Sequence, residues 1–182
     1  MDGRAGAARI IETEHLRLRP HAISDYEAVV ALWGEPEVHR PITGIAPGRE
    51  EMWHKLLRFA GHWALLGYGM YVAEDRTTGT LMGEVGLADF HRGLGPGFDG
   101  FPEAAWVMGP WATGRGLAAE AMTAVLAAAD AAGIGRRVVC VIDPANVPSV
   151  GLAGRLGFLP FGDAVYRERA VRLFARTLPQ PA

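Results

Sequence analysis

The chain contains a single cysteine, Cys140, so neither an intrachain disulfide nor a cysteine-rich zinc site can form, and a reducing, cytoplasmic location is expected. Cys140 lies within the apolar run 138–142, the setting of a structural thiol rather than a nucleophile. An excess of charge is also missing. Eighteen Lys and Arg stand against twenty Asp and Glu, and a net charge of −2 gives no electrostatic basis for binding nucleic acid. Only one of those cations, Lys55, is a lysine; with the many alanines and glycines this reads as compositional bias. The opening MDGRAGAARI lacks the apolar core of a signal peptide, and the weakly polar stretch 116–133 is interrupted by Glu120 and Asp130, so no membrane association is expected. No His, Cys, Asp and Glu cluster has metal-ligand spacing, and no serine sits in a G-x-S-x-G elbow.

The chain has 182 residues, 49% of them hydrophobic, enough for one well-buried core. Residues 1–9 read as a loose start and 10–182 as one domain. Residues 10–19 alternate as a half-buried strand, with Leu16 and Leu18 on one face. Ser24 and Glu27 have capping-box spacing and predict a helix from there to Trp33, ended by Gly34 and Pro36. A second helix is predicted over 50–66 after a Gly- and Pro-rich approach. Residues 70–74 and 80–90 form a hairpin around the polar turn 75–79. After a Gly-rich loop, 93–100, come a strand at 103–108, an Ala-rich helix at 116–132 closed by Gly133, a buried strand at 138–142, a short helix at 147–156, and strands at 159–165 and 170–177. Hairpins at both ends of a single βαβ unit predict an α+β (mixed α/β) domain, its sheet mixed and flanked by helices.

Two segments carry the chemistry. Thr113-Gly114-Arg115-Gly116-Leu117-Ala118 runs from a strand into a helix. Its small residues let a ligand approach the backbone, the helix N-terminus offers free N–H groups to a phosphate, and Arg115 adds a charged donor. A tight turn that needs glycine is the plainer reading. The same residues fit a dinucleotide fingerprint with Asp143 after the next strand, but the unit is late, solitary, and separated from its strand by residues 109–113. The second segment, 146–158, opens with Asn146 as a helix cap and places Ser149 on the same side one turn later; Gly157 ends the helix.

Together these segments resemble the signature motifs of the GNAT superfamily of acetyl-CoA-dependent N-acetyltransferases. Gly116 and Ala118 match the last fixed positions of its Q/R-x-x-G-x-G/A loop, and Asn146, Leu152, Leu156, Gly157 and Phe158 match its second motif. The opening Thr13-Glu14-His15-Leu16-Arg17-Leu18-Arg19-Pro20 resembles the RimJ/RimL-like branch, which acetylates ribosomal-protein N-termini. Two departures stand out. Thr113 replaces the usual Gln or Arg, and Ala153 stands where many members place a proton-donating tyrosine.

The resemblance implies a GNAT fold, with a largely antiparallel sheet of about seven strands flanked by about four helices. It also implies acetyl transfer from acetyl-CoA to a primary amine in a ternary complex, with no metal. A non-catalytic CoA-binding or partner-binding module on the same fold is the alternative. Similar proteins are commonly homodimers. On this reading the backbone of Trp106, Val107 and Met108 supplies oxyanion donors, and the loop from Thr113 to Ala118 (Gly114, Arg115, Gly116 and Leu117 included) holds the pyrophosphate. Asn146 and Ser149 touch the pantetheine arm, with Ser149 protonating the departing thiolate. Glu103, directly or through water, removes the amine proton, and Glu84 is the second choice. His91 is a candidate border of the acceptor site. Trp33, Trp53, Trp63 and Tyr26 are candidate walls, and Glu35, Glu37, Glu50 and Glu51 are candidate attractors of a cationic amine.

Overall fold

A computed structural model describes residues 9–178; most of the expected loose start, 1–8, lies outside the described residues. Eight strands form one sheet: β1 (Ile11–Glu12), β2 (Leu16–Pro20), β3 (Met70–Asp75), β4 (Leu81–Ala88), β5 (Glu103–Met108), β6 (Arg137–Ile142), β7 (Leu159–Tyr166) and β8 (Arg169–Thr177). Their order is β1-β2-β3-β4-β5-β6-β8-β7, antiparallel throughout except for the β5–β6 pair. Five helices accompany it: α1 (Tyr26–Gly34), α2 (Pro36–His39), α3 (Arg49–Leu66), α4 (Leu117–Ala131) and α5 (Val147–Arg155). This is the mixed, mostly antiparallel α+β architecture that the sequence predicts.

The differences are local. Residues 10–19 are not one strand. The chain turns at Thr13, whose N–H donates to Leu16 O at 2.9 Å, so that Ile11 pairs with Leu18. Glu120 of α4 anchors the turn by accepting from Thr13 Oγ1 at 2.5 Å and from His15 N at 2.8 Å, and the eighth strand results. Ser24 caps nothing. It lies inside a single 3-10 turn, Ile23–Asp25, and Asp25 takes the reciprocal role: its Oδ2 accepts the Ala22 N–H at 2.7 Å and its own N–H donates to Ala22 O at 3.0 Å. The Arg19 guanidinium holds Asp25 there with two hydrogen bonds of 2.7 Å, so the carboxylate, not the neighbouring hydroxyl, governs the helix entry. Pro36 ends α1, as expected, but also opens the one-turn α2, which accounts for the fifth helix.

Side-chain alternation along β5 defines two faces, and this arrangement positions the site. Ala104 belongs to the main core with Leu117, Ala121, Met122 and Val125 of α4, and Trp106 and Met108 pack on the same cluster. Ala105 packs with Phe59 of α3, and Val107 packs with Val29, Leu32 and Trp33 of α1. Even positions of β5 therefore face α4 and α5; odd positions, Glu103 included, face α1 and α3.

Candidate active site

β5 and β6 are paired at one register position only. Glu103 is in register with Val139, the Val139 N–H donates to Pro102 O at 2.9 Å, and beyond that point Ala104 to Met108 have no ladder partner on β6. Parallel strands that part in this way leave backbone groups unpaired along a wedge. A cavity of about 670 Å³ occupies the wedge and is lined from both faces: by Trp106, Asn146 and Ser149 on the α5 side, and by Trp33, Lys55, Phe59, Glu84 and Glu103 on the α3 side.

On the α5 side, Asn146 caps the helix, its Oδ1 accepting the Ser149 N–H at 3.3 Å. The Asn146 side-chain NH2 is left over from this bond. The Ser149 hydroxyl oxygen accepts from Trp106 Nε1 at 3.3 Å, so its hydrogen can donate elsewhere. Ala153, at the position where many members carry a tyrosine, is buried in the core, and no phenol reaches the wedge from there.

The loop between β5 and α4 presents backbone donors at the start of a helix. Gly114 and Gly116 have φ of +77° and +76°, a region that favours glycine, and Gly116 is the N-cap of α4. The backbone N–H groups of Gly114 and of Gly116 through Ala119 have no acceptor among the described residues; the first helical bond is made by Glu120 N to Gly116 O at 3.0 Å. Thr113 spends its hydroxyl on Gly109 O at 3.2 Å, while the Arg115 side chain is exposed. Leu117 is a core residue, so only its backbone is available to a ligand. This cradle follows the C-terminal end of β5 and lies outside the cavity lining.

On the α3 side both candidate glutamates are present, and both are engaged. Glu84 accepts from Trp33 Nε1 at 2.6 Å, lies 2.7 Å from His21 Nε2, and contacts the Lys55 ammonium. Burial alone would raise its pKa, but Lys55 and His21 hold it well below the usual carboxylate range. Lys55 is pushed the other way for a cation: burial lowers it to about 8 against the pull of Glu84, and its ammonium lies 3.8 Å from the centre of the Trp33 ring. Glu103 is 3% exposed and takes a bidentate grip from Arg92, with contacts of 2.7–3.0 Å. Here burial wins over Arg92, and the carboxyl is raised above the ordinary glutamate value. Of the two, Glu103 is the better proton acceptor near neutral pH.

Several expected acceptor residues lie elsewhere. His91 is exposed, pairs with Asp89 at 3.2 Å and does not line the cavity. Trp63 is core, its Nε1 donating to Met70 O at 3.0 Å, and Trp53 packs edge-on against Tyr26. Of the four acidic attractors only Glu51 reaches the lining, and Trp33 is the one candidate wall that does so. The structure adds residues that the spacing could not reveal, among them Lys55, His21, Arg92, Arg58, Tyr166 and Arg169. Arg169 bridges Asp143 at 2.6 Å and Ile42 O at 3.1 Å, tying the segment between α2 and α3 to the mouth of the wedge. Asp143, the acid of the dinucleotide reading, is thus consumed in that tie. Lys55, as the only lysine, was the one visible signal.

The family model for the acetyltransferase (GNAT) domain matches residues 15–159. The chain belongs to the GNAT acetyltransferase family. Among solved structures, this GNAT chain is similar to a Bordetella pertussis protein assigned to GnaT-family acetyltransferases, with 34% identity, 93% of this chain and 100% of that one covered, and a TM-score of 0.84. By fold it also resembles RimL, the ribosomal L7/L12 α-N-protein acetyltransferase in complex with coenzyme A, at 17% identity, 93% and 98% coverage and a TM-score of 0.75. A Salmonella typhimurium structure solved with its cofactor acetyl-CoA shares 19% identity, with 93% and 97% coverage and a TM-score of 0.68. A comparison with curated proteins yields no match. No helix among the described residues is long and apolar enough to cross a membrane.

Proposed function

We propose that this GNAT chain transfers an acetyl group from acetyl-CoA to a primary amine by direct attack in a ternary complex. The observation that carries the reading is the wedge between β5 and β6, open to both faces of the sheet, with a cradle of unpaired backbone N–H groups beyond one end of it. The diphosphate sits on the backbone from Thr113 to Ala118, the pantetheine arm enters past Asn146 and Ser149, and the thioester reaches the splayed part of β5. The amine arrives from the α3 face. Its nitrogen bonds to the thioester carbonyl carbon, the displaced proton goes to Glu103 or to a water that Glu103 holds, and the carbon–sulfur bond breaks. Ser149 delivers a proton to the thiolate. Backbone N–H groups of Trp106 and Met108, which face the gap left by β6, stabilise the oxyanion, whereas that of Val107, two residues before the Gly109 N–H that bonds Met82 O, faces β4 and drops out of the expected set. Both substrates held in one wedge supply much of the remaining rate.

As a grouping by sequence and fold, which leaves the acceptor open between a protein N-terminus and a small-molecule amine, the RimJ/RimL-like branch is favoured by the opening strand and by the fold likeness to RimL. The free, buried Cys140 suits a cytoplasmic enzyme, and the dimer expected from the resemblance belongs to the same reading. Calorimetric titration with acetyl-CoA, followed by a thiol-release assay over a panel of primary amines, tests the proposal. Saturable binding with amine-dependent release of CoA is expected. Binding without transfer to any amine would replace the enzyme by a CoA-binding module.

A further inference from the structure

The α3 face of the wedge is more cationic than its acids can balance. Five cations line the cavity, and three of them are matched: Lys55 by Glu84, Arg92 by Glu103 and Arg169 by Asp143. Arg58 and Arg167 have no ion pair and no hydrogen bond from their side chains among the described residues. The remaining acid of the lining, Glu51, lies two helical turns before Arg58 on α3, about 10 Å along the axis.

Three guanidiniums crowd around two rings. Arg58 and Arg92 lie 5.2 and 4.7 Å from the centre of the Phe90 ring, and Arg92 and Arg167 lie 5.0 and 5.4 Å from the centre of the Tyr166 ring. Glu103 is the single carboxylate bonded within this group. Arg58 and Arg167 are both exposed at the rim of the cavity, open to an incoming ligand, and partial burial followed by the nearby Arg92 lowers the proton affinity of Arg58. Like charges gathered at the rim of a cleft focus a positive potential there and draw an anion to it.

The coenzyme's phosphates are not that anion. The arginines stand with Glu103 at the start of β5, on the face of α3. The phosphate cradle follows the other end of the strand and opens onto α4, with roughly 17 Å of strand between the two ends. The arginines therefore face the acceptor, and a planar guanidinium presents a fork matched to a carboxylate.

We propose that the acceptor is a small amine bearing its own carboxylate, an amino acid. Its carboxylate is held by Arg58 and Arg167, its amine is turned toward Glu103, and its side chain lies against Phe90 and Tyr166. This rests on the acetyl-transfer reading above and narrows it. The products are then an N-acetyl amino acid and CoA: the nitrogen–acetyl bond forms, the carbon–sulfur bond breaks, and the amine proton leaves through Glu103 while the thiolate is protonated.

The test compares kcat/KM for L-amino acids with that for their amides, for aminophosphonates of the same size, and for short peptides with free N-termini. Free acids are expected to exceed their amides by about tenfold to a hundredfold, because the amide leaves the arginines without an anion. Arg58→Met should collapse that ratio through KM while acetyl-CoA affinity, read by calorimetry, stays at the wild-type value. Equal rates on acids and amides, a preference for peptides, or an equal loss on both in Arg58→Met would each overturn the proposal; faster aminophosphonates would overturn the carboxylate assignment. A second arm needs no turnover: the same acids should raise the melting temperature of the wild-type protein and not that of Arg58→Met. If acetyl-CoA fails to bind, the transfer reading fails; if acetyl-CoA binds and the acids neither shift melting nor react, only the amino-acid inference fails.

Discussion

Glu103 and Ser149 lie on opposite faces of the sheet although both line one cavity. Glu103 is an odd position of β5, facing α3, whereas Ser149 is bonded by Trp106, an even position facing α5. On the proposed mechanism, proton removal from the amine and proton delivery to the thiolate would thereby be separated by the strand itself, with the splay from β6 as the passage between them. Substitutions on the two sides should then have distinguishable signatures.

On the acceptor side, Glu103→Gln should lower kcat by about a hundredfold or more, the usual worth of a positioned base, with the acetyl-CoA dissociation constant unchanged. The pH dependence carries the sign. Burial raises the Glu103 carboxyl above 4.5, so the ionised form needed as a base is lost at a higher pH than for a solvated glutamate. The wild-type rate should therefore fall on an acidic limb above pH 4.5, and that limb should be absent from the variant. A variant with the same limb and rate would remove Glu103 from the chemistry.

On the cofactor side, Ser149→Ala removes both the proposed donor to sulfur and the oxygen that accepts from Trp106 Nε1 at 3.3 Å. Turnover with an alkyl amine should drop about a hundredfold, the lower end for a general acid, while acetyl-CoA binds as before. A thioester with a more acidic thiol should narrow the gap between variant and wild type, because its leaving group needs the proton less. Equal rates for variant and wild type on acetyl-CoA would leave Ser149 as a polar residue of the helix surface.

The legible parts of the molecule were those whose chemistry is local in sequence. Gly114 and Gly116 announce a positive-φ turn before a helix, and Asn146 with Ser149 announces a cap one turn long; both are found in those roles. The hairpins and the single βαβ unit followed from alternation and turn residues. What could not be read depends on distant partners. Glu84 meets Lys55 and His21, 29 and 63 positions away, and nothing in their spacing shows that one carboxylate will be held by a lysine and an imidazole while the other keeps a raised pKa beside Arg92. The Ser24 cap failed for a related reason: Arg19 fixes the neighbouring Asp25, and the stronger acceptor takes the backbone donor. The break at Thr13 likewise needs Glu120, 107 residues on.

Gly116→Asp tests the phosphate cradle. The cradle uses backbone N–H groups, so a carboxylate there should repel a diphosphate and weaken acetyl-CoA binding by at least about a hundredfold, or roughly 3 kcal/mol. Strain must be separated from charge, because φ is +76° at this position. No atom lies within 4 Å of an added Cβ, so Gly116→Ala imposes the backbone cost, about 1–2 kcal/mol, without the charge. Alanine should lower stability while retaining most of the affinity, and aspartate should lose both. If the two variants bind acetyl-CoA equally well, the anion is held elsewhere.

The last prediction concerns the frame rather than the site. Arg19 joins three elements: its guanidinium donates twice to Asp25 at the entry to α1 and also bonds Glu74 on β3. Both carboxylates are largely buried, so Arg19→Met strands them without their counter-charge and should cost about 3 kcal/mol. For a chain of this size that corresponds to a fall in melting temperature of about 6–12 °C. Burial tends to raise the pKa of Asp25, but the bonds from Arg19 and Ala22 N–H outweigh it and hold the carboxyl below 3.8. A depressed carboxyl contributes stability above its unfolded value and loses it as pH falls through its folded one. The stability gap between wild type and variant should therefore be flat near neutrality and shrink as the pH is taken below 3.8, measured by urea unfolding at each pH. A gap that widens on acidification would show that Arg19 acts through its hydrocarbon packing and not through the carboxylates it joins.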